Sequence, residues 1–187
     1  MFQDNSYITG KLGVLSSIGY SGILPEHCQI AVIGAGCVGK TVRETLELLA
    51  VPEIDVYTSQ NIAQLRNRLN QYDIIYNCAR TDETILTRED LRQLRMGALI
   101  VNIGSFCIEG IEAGTLLNPL FIQENGRYQV YCVPNLPSMC YKDASAYITH
   151  EITPYLEQLI TGDYSPELEQ AMVIDHGQPI KERLAIP

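Results

Sequence analysis

Residues Gln29-Ile30-Ala31-Val32-Ile33-Gly34-Ala35-Gly36-Cys37-Val38-Gly39-Lys40 form an apolar, strand-forming run that breaks into glycines at 34, 36 and 39. Thr41 to Leu49 follows with apolar residues at 42, 46 and 49, the spacing of one buried helical face. Strand, glycine turn and helix in that order are the context that gives G-x-G-x-x-G its physical meaning. Gly34 permits the tight turn, Gly36 lets the backbone approach a pyrophosphate, and Gly39 lets helix and strand pack closely. The free N–H groups and the positive end of the helix dipole then favour phosphate charge. The plain alternative is a glycine turn in an α/β sheet that binds nothing; the context favours nucleotide binding.

The rest of the chain repeats the alternation. A helix is expected over residues 5–19, with Ile8, Leu12, Leu15 and Ile18 on one side, and Pro25 and Glu26 close the connection to the first strand. Further strands are expected at Ile54–Thr58, Asp73–Cys78, Ala98–Ile103 and Tyr128–Val133, with a longer excursion before the last. Helices are expected at Ile62–Leu69, at Thr87–Leu94 with a Thr87/Asp90 capping box and a stop at Gly97, and at Asp143–Leu159, where Pro154 should kink or split the helix. The tail carries Pro166, a short run Ala171–Ile174 and a turn at His176-Gly177. This pattern predicts an α/β fold: a Rossmann-type, doubly wound parallel sheet with helices on both faces. Residues 1–24 form an N-terminal helical segment, 25–160 the dinucleotide-binding domain with its C-terminal helix, and 161–187 a C-terminal tail.

Composition excludes several classes. The net charge is −9, from 13 basic and 22 acidic residues, which opposes nucleic acid or an anionic membrane as partner. No apolar run reaches membrane-spanning length. The six cysteines include no C-x-x-C pair, and with no secretory signal in the first 25 residues they read as buried, reduced thiols in a cytoplasmic protein. His27, His150 and His176 have no ligand-like spacing, so no metal site is expected.

In a doubly wound sheet the ligand lies beyond the carboxyl ends of the strands, at the switch point. Position alone therefore selects Gly34, Gly36, Cys37, Val38 and Gly39 after the first strand, and Thr58 and Ser59 after the second. It adds Ala79 and Arg80 after the third, Gly104 and Ser105 after the fourth, and Pro134 and Asn135 after the fifth. An NAD site usually places Asp or Glu after the second strand, to bind the ribose 2′-hydroxyl. Here Thr58-Ser59 stand there, and Asp55 comes too early in the strand, so NADP is preferred over NAD. Arg66 and Arg68 on the next helix read as solvated surface residues rather than phosphate ligands. Lys142 reads as solvated too, while Tyr131 and Tyr141 read as packing residues. Asn135 is either a turn residue bonding its own backbone or a cofactor contact. No nucleophile is assigned to Cys37, Cys107 or Cys140, and no catalytic residue is identified.

Four stretches resemble the C-terminal half of the alanine dehydrogenase and nicotinamide nucleotide transhydrogenase superfamily, on its carboxyethylornithine synthase and lysine-forming saccharopine dehydrogenase side. They are Val32–Gly39; Tyr72–Cys78; Leu86-Thr87-Arg88-Glu89-Asp90-Leu91 leading to Gly97–Val101; and Val133-Pro134-Asn135-Leu136-Pro137-Ser138 with Tyr141-Lys142-Asp143-Ala144-Ser145 and Pro154-Tyr155-Leu156. The tail Met172–Gly177 is similar to the family's closing segment. The resemblance implies an NAD(P)-dependent oxidoreductase acting at a carbon–nitrogen bond, with a 2-oxo acid and an amine as small-molecule substrates. Family members are about twice as long, because an N-terminal lobe supplies groups that hold the substrate. A homo-oligomer or a second subunit is therefore expected to complete the pocket. The family also commonly places Asp after the fourth strand, where this chain has Phe106, and its carboxyethylornithine synthases read Asp-His where this chain has Pro134-Asn135. With those proton-handling groups absent, the alternative is a non-catalytic nucleotide-binding protein in a regulatory or structural role.

Overall fold

The computed structural model describes residues 3–180, so residues 181–187 of the tail lie outside the described residues, as do 1 and 2. Four apolar runs become the strands β1 (Ile30–Ile33), β2 (Ile54–Tyr57), β3 (Ile74–Asn77) and β4 (Ala98–Asn102). Two more, β5 (Leu120–Gln123) and β6 (Tyr128–Tyr131), complete a six-stranded sheet of order β2-β1-β3-β4-β6-β5. All neighbours are parallel except β5, which runs antiparallel to β6 at the edge. Every residue of β1, β3 and β4 is buried, as parallel strands covered on both faces must be.

The helices divide between those faces. Along β1, Ile30 and Val32 point into one core with Val14, Val42, Leu46, Leu99 and Val101, under α1 (Gln3–Ser17) and α2 (Cys37–Leu48). Ala31 and Ile33 point into the other with Leu65, Leu69, Leu91 and Leu94, around α3 (Ile62–Arg66) and α4 (Arg88–Leu91). The doubly wound architecture expected from the alternation is therefore present. So is the capping box of α4: Thr87 Oγ1 accepts from the Asp90 N–H at 3.2 Å, and the Thr87 N–H donates to Asp90 Oδ2 at 2.9 Å.

Other details differ from the sequence reading. The face of α1 that packs is Ile8, Gly10, Gly13, Val14 and Ser17, while Leu15 is exposed. The cause is close approach. A Cβ on Gly10 would stand 2.8 Å from both Thr41 Cβ and the Val38 carbonyl, and one on Gly13 would collide with the Ile103 side chain. Small residues therefore let α1 approach α2 and Ile103 closely, while Ile8 is buried and Leu12 is partly buried against the core as expected; Ile18, just past the end of α1, packs there too, and Leu15 is the exception. Strand β5 lies within the longer excursion before the last expected strand and was not among the strands expected. The helix α5 (Tyr141–Thr161) runs unbroken through Pro154, whose solvent-facing position lets water serve the carbonyl left without a donor. Gly162, at φ 81°, ends it. Tyr141 is exposed rather than packed. Helix α6 (Pro166–Ala171) and a hairpin of β7 (Ile174–Asp175) and β8 (Gln178–Pro179) follow, and His176-Gly177 make the turn in left-handed conformation as expected. All six cysteines are free; Cys28, Cys107 and Cys132 are buried, but Cys37 is exposed. No helix among the described residues is long and apolar enough to cross a membrane.

Two consequences are measurable. Gly13→Val should lower stability by about 1–3 kcal/mol through overpacking against Ile103, whereas Gly19→Ala, with open space around it, should stay within about 0.5 kcal/mol. Urea denaturation checks this, and equal midpoints for the two variants would refute the packing account. Burial also raises the phenol pKa of both Tyr72 and Tyr76, and at Tyr72 the hydrogen bonds to Asp55 and Tyr57 add to the effect. The folded chain thus keeps both neutral at a pH where the unfolded chain ionises them. Their stabilisation is complete below about pH 10 and is lost as pH rises beyond it. The melting temperature should be lower at about pH 11 than at about pH 8; equal values would contradict this.

Candidate functional site

The chain leaves β1 for β2 on one side and returns past β1 to β3 on the other, so the switch point lies between β1 and β3. The glycine turn sits there. Gly34 has φ 101°, a conformation that L side chains rarely adopt, and its N–H donates to the Tyr57 carbonyl at 2.7 Å. A Cβ on Gly39 would collide with the Gly34 carbonyl, so glycine is what allows α2 to start against the end of the strand. Gly36 caps α2 without a side-chain hydrogen bond, and a Cβ there would meet nothing within 4 Å. The helical ladder begins with Lys40 N–H donating to the Gly36 carbonyl at 2.8 Å. The N–H groups of Cys37, Val38 and Gly39 therefore have no intrahelical partner, as at any helix start.

Two clefts open at the carboxyl ends of the strands. The first, of about 440 Å³, spans the ends of β2, β1 and β3 and is lined by Gly34, Thr58, Ser59, Ala79 and Arg80, with Ile62, Arg66 and Thr81 around them. The second, of about 300 Å³, lies over β4 and β6 and is lined by Gly104, Phe106, Pro134 and Asn135, with Asn102 at its base. Nine of the thirteen positions selected from the sequence thus fall outside α2 and its cap, and eight of those nine line one cleft or the other. Ser105 is the exception. Its hydroxyl donates to the Thr81 carbonyl at 2.7 Å and accepts the Thr81 N–H at 3.0 Å, so it faces the neighbouring loop. Gly36, Cys37, Val38 and Gly39 line neither cleft; they form the cap and first turn of α2, with the Val38 side chain packed towards the core.

Charge in the first cleft comes from Arg66 and Arg80, with the carboxylate of Glu83 also in its lining. Arg66, read as a solvated residue, lines it and donates to the Ile85 carbonyl at 2.9 Å, with Asp90 3.7 Å away. Arg80 makes no hydrogen bond or ion pair among the described residues. Asp55 is turned away from the cleft chemistry: Tyr72 donates to it at 2.6 Å, and the Arg68 guanidinium lies 3.0 Å from it. Among the described residues, the second cleft is lined by amides, a hydroxyl, the Cys132 thiol and apolar groups, with no carboxylate, imidazole or cationic side chain. Asn135 stands there at φ 57°, and its side chain makes no hydrogen bond among the described residues, so the self-bonded turn is not what the structure has. Lys142 is exposed and lines neither cleft, and Tyr131 is buried, donating to Ser16 Oγ at 2.8 Å. Asn5 and Thr9 of α1 also line the second cleft and were not singled out from the sequence. Their spacing of four, which puts both on one helical face beside Ile8, is the signal that was available.

The family model for the alanine dehydrogenase/PNT C-terminal domain matches residues 40–182. Among curated proteins, N5-(carboxyethyl)ornithine synthase of Lactococcus lactis is 28% identical over 152 residues, which is 78% of this chain and 48% of that protein. The enzyme of the same name from Clostridium botulinum is 30% identical over 162 residues, 82% of this chain and 50% of that protein. The chain thus spans about half the length of the curated relatives it matches. Among solved structures, a dipicolinate synthase from Bacillus halodurans superposes with a TM-score of 0.59 at 16% identity, over 82% of this chain and 55% of that one. The dipicolinate synthase from Bacillus subtilis gives the same score and identity over 84% and 55%; at this identity the likeness concerns the fold. The match over residues 40–182, on a sheet with the glycine turn at its switch point, is decisive: the chain belongs to the alanine dehydrogenase/PNT C-terminal domain family.

Proposed function

We propose that this chain is the cofactor-binding part of an NAD(P)-dependent oxidoreductase of the amino-acid and opine dehydrogenase type, acting at a carbon–nitrogen bond. The observation that carries the reading is the uncapped start of α2 at the switch point, with an open approach over Gly36 and a cleft on either side. The relatives named N5-(carboxyethyl)ornithine synthase support the reaction class. Residues 25–160 form the cofactor-binding body on this reading, and the segment 1–24 adds Asn5 and Thr9 to its second cleft. Thr58, Ser59, Ala79 and Arg80 hold the adenosine half, the first-turn N–H groups of α2 the pyrophosphate, and Gly104, Pro134 and Asn135 the nicotinamide half. When bound, the cofactor supplies hydride to an imine formed between a 2-oxo acid and an amine.

Hydroxyls at Thr58 and Ser59, an unpaired Arg80 nearby and a carboxylate at Asp55 that is already engaged support NADP over NAD. A substrate carboxylate needs a cation, and none lines the second cleft among the described residues. The cation therefore comes from residues other than those described, in a second chain, a second copy or elsewhere in the protein. The same uncharged lining, with Phe106 at the mouth, favours one other reading: a nucleotide-binding subunit that performs no redox chemistry.

Because the chain has no tryptophan, titration against the cofactor's own fluorescence is clean. The protein should bind NADPH more tightly than NADH. Gly36→Val should abolish binding of both while leaving the melting temperature unchanged, since a Cβ there meets nothing within 4 Å; normal binding by this variant would sink the site. Ser59→Asp should shift the NADPH-to-NADH preference roughly tenfold towards NADH by setting a carboxylate against the 2′-phosphate. An unchanged ratio would remove the NADP preference. Cofactor oxidation on addition of 2-oxo acids with amines, alone or with a complementing chain, supports the enzyme; binding without turnover under every such condition supports the non-redox reading.

A further inference from the structure

The loop after β3 is tied to the loop after β4 by a compact set of hydrogen bonds. Besides the paired bonds between the Ser105 hydroxyl and the backbone of Thr81, the Ser105 N–H donates to the Ala79 carbonyl at 2.9 Å. Buried Asn77 anchors both loops: its Oδ1 accepts the Ala79 N–H at 3.1 Å, and its Nδ2 donates to the Ser105 carbonyl at 3.1 Å and to Asn102 Oδ1 at 2.6 Å. Gly104 lies so close to Ala79 that a Cβ would collide with the Ala79 carbonyl. Residues 79 and 81 are thus held on either side of Arg80, which is exposed, lines the first cleft and has no partner among the described residues.

We infer that Ser105 is a positioning residue: its hydroxyl clamps the 79–81 strap to the end of β4, and so keeps the Arg80 guanidinium over the first cleft to meet the anionic part of a dinucleotide. This rests on the cofactor reading above. The physical argument is one of ordering. An arginine on an unclamped loop must lose loop and side-chain freedom when it meets an anion, which offsets part of the attraction. With both neighbours already bonded to the protein, that loss is taken in folding rather than in binding. A serine is suited to this position because one hydroxyl both donates and accepts: here it accepts from the Thr81 N–H and donates to the Thr81 carbonyl, with the Ala79 carbonyl also in reach at 3.3 Å.

The test compares the full chain with Ser105→Ala, Ser105→Thr, Arg80→Ala and the Ser105→Ala/Arg80→Ala double variant, by NADPH titration and amide hydrogen exchange. Ser105→Ala should free the Thr81 amide to exchange at least about tenfold faster, with β1 and β3 unchanged, and should weaken NADPH binding about five- to tenfold. Ser105→Thr, which keeps the hydroxyl, should bind within about twofold of the wild type. Arg80→Ala should lose about as much as Ser105→Ala, and the double variant little more, because the two act as a unit. Unchanged Thr81 exchange in Ser105→Ala overturns the clamp whether or not any cofactor binds. A clamp that opens without loss of affinity, or losses that multiply in the double variant, overturns the positioning role. A wild-type protein that binds neither NADPH nor NADH defeats the cofactor reading itself, and the role of Ser105 with it; the exchange data separate that outcome from the others.

Discussion

The site depends on how closely the first turn of α2 approaches the end of β1. Gly39 stands where any side chain would run into the Gly34 carbonyl, and Gly34 turns the chain at a positive φ while donating to β2 through Tyr57. Pulled in this far, α2 begins at the switch point with its unpaired N–H groups towards the carboxyl ends of the strands. A second close approach is built on the first. Gly10 and Gly13 let α1 lie against Thr41, Val38 and Ile103, which carries Asn5 and Thr9 to the rim of the second cleft. The α1 wall of the second cleft is therefore set by glycines on that helix, and Asn5 and Thr9 reach the cleft because of where the helix comes to rest.

The parts of this arrangement that were legible in the sequence are those where a local pattern and the tertiary environment ask for the same thing. The strands β1, β3 and β4 are continuous apolar runs because both faces are covered, and their ends then index the loops that carry ligands. Legibility failed where tertiary contact decides. Strand β5 is four residues at an edge, with Ile122 71% exposed, so it shows neither a buried run nor a clean alternation. In α1 the apolar period placed Ile8 and Leu12 on the packed side but also the exposed Leu15, because Gly10 and Gly13 take the closest approach, against α2 and Ile103. Pro154 does not break α5 because its lost hydrogen bond is on the solvent side, a fact about burial that the sequence pattern does not carry. Among site residues, position along the fold indicated which residues reach the clefts but not what each side chain does there. Ser105 is at the end of β4 as expected, and its hydroxyl is committed to the neighbouring loop.

The polar groups in the interior explain why so few side chains are left to face a ligand. At the edge of the sheet, Tyr57, Tyr72, Asp55 and Arg68 bond one another. A carboxylate satisfied by a phenol and a guanidinium has little reason to desolvate for a ribose hydroxyl, so this cluster removes the acidic group closest in sequence to the end of β2. At the centre, Asn77 and Asn102 pair amide to amide across β3 and β4. Both sit at the last residue of their strands, and an unsatisfied amide there would cost more than the pair contributes. Their pairing thus fixes the strand ends relative to each other, and with them the two loops that leave those ends.

What the two clefts hold follows from how unlike they are. The first has three charged side chains in its lining: Arg66, tied to the Ile85 carbonyl, Arg80, without a partner among the described residues, and Glu83. The second has amides, a threonine and an exposed Phe106, with no charged side chain among the described residues. An NADP dinucleotide has a matching asymmetry, with one more phosphate on its adenosine half than on the nicotinamide half, which ends in a neutral amide. An ionised substrate matches the second cleft poorly, because a carboxylate brought there exchanges water for groups that offer dipoles but no counter-charge. On the proposed reading, then, the chain's own residues are sufficient to bind and orient the cofactor, while the charge that recognises a 2-oxo acid must face the second cleft from outside it. Phe106 at that mouth suits such a division, since an apolar ring can be covered by another surface and a carboxylate in its place would have to be paired first.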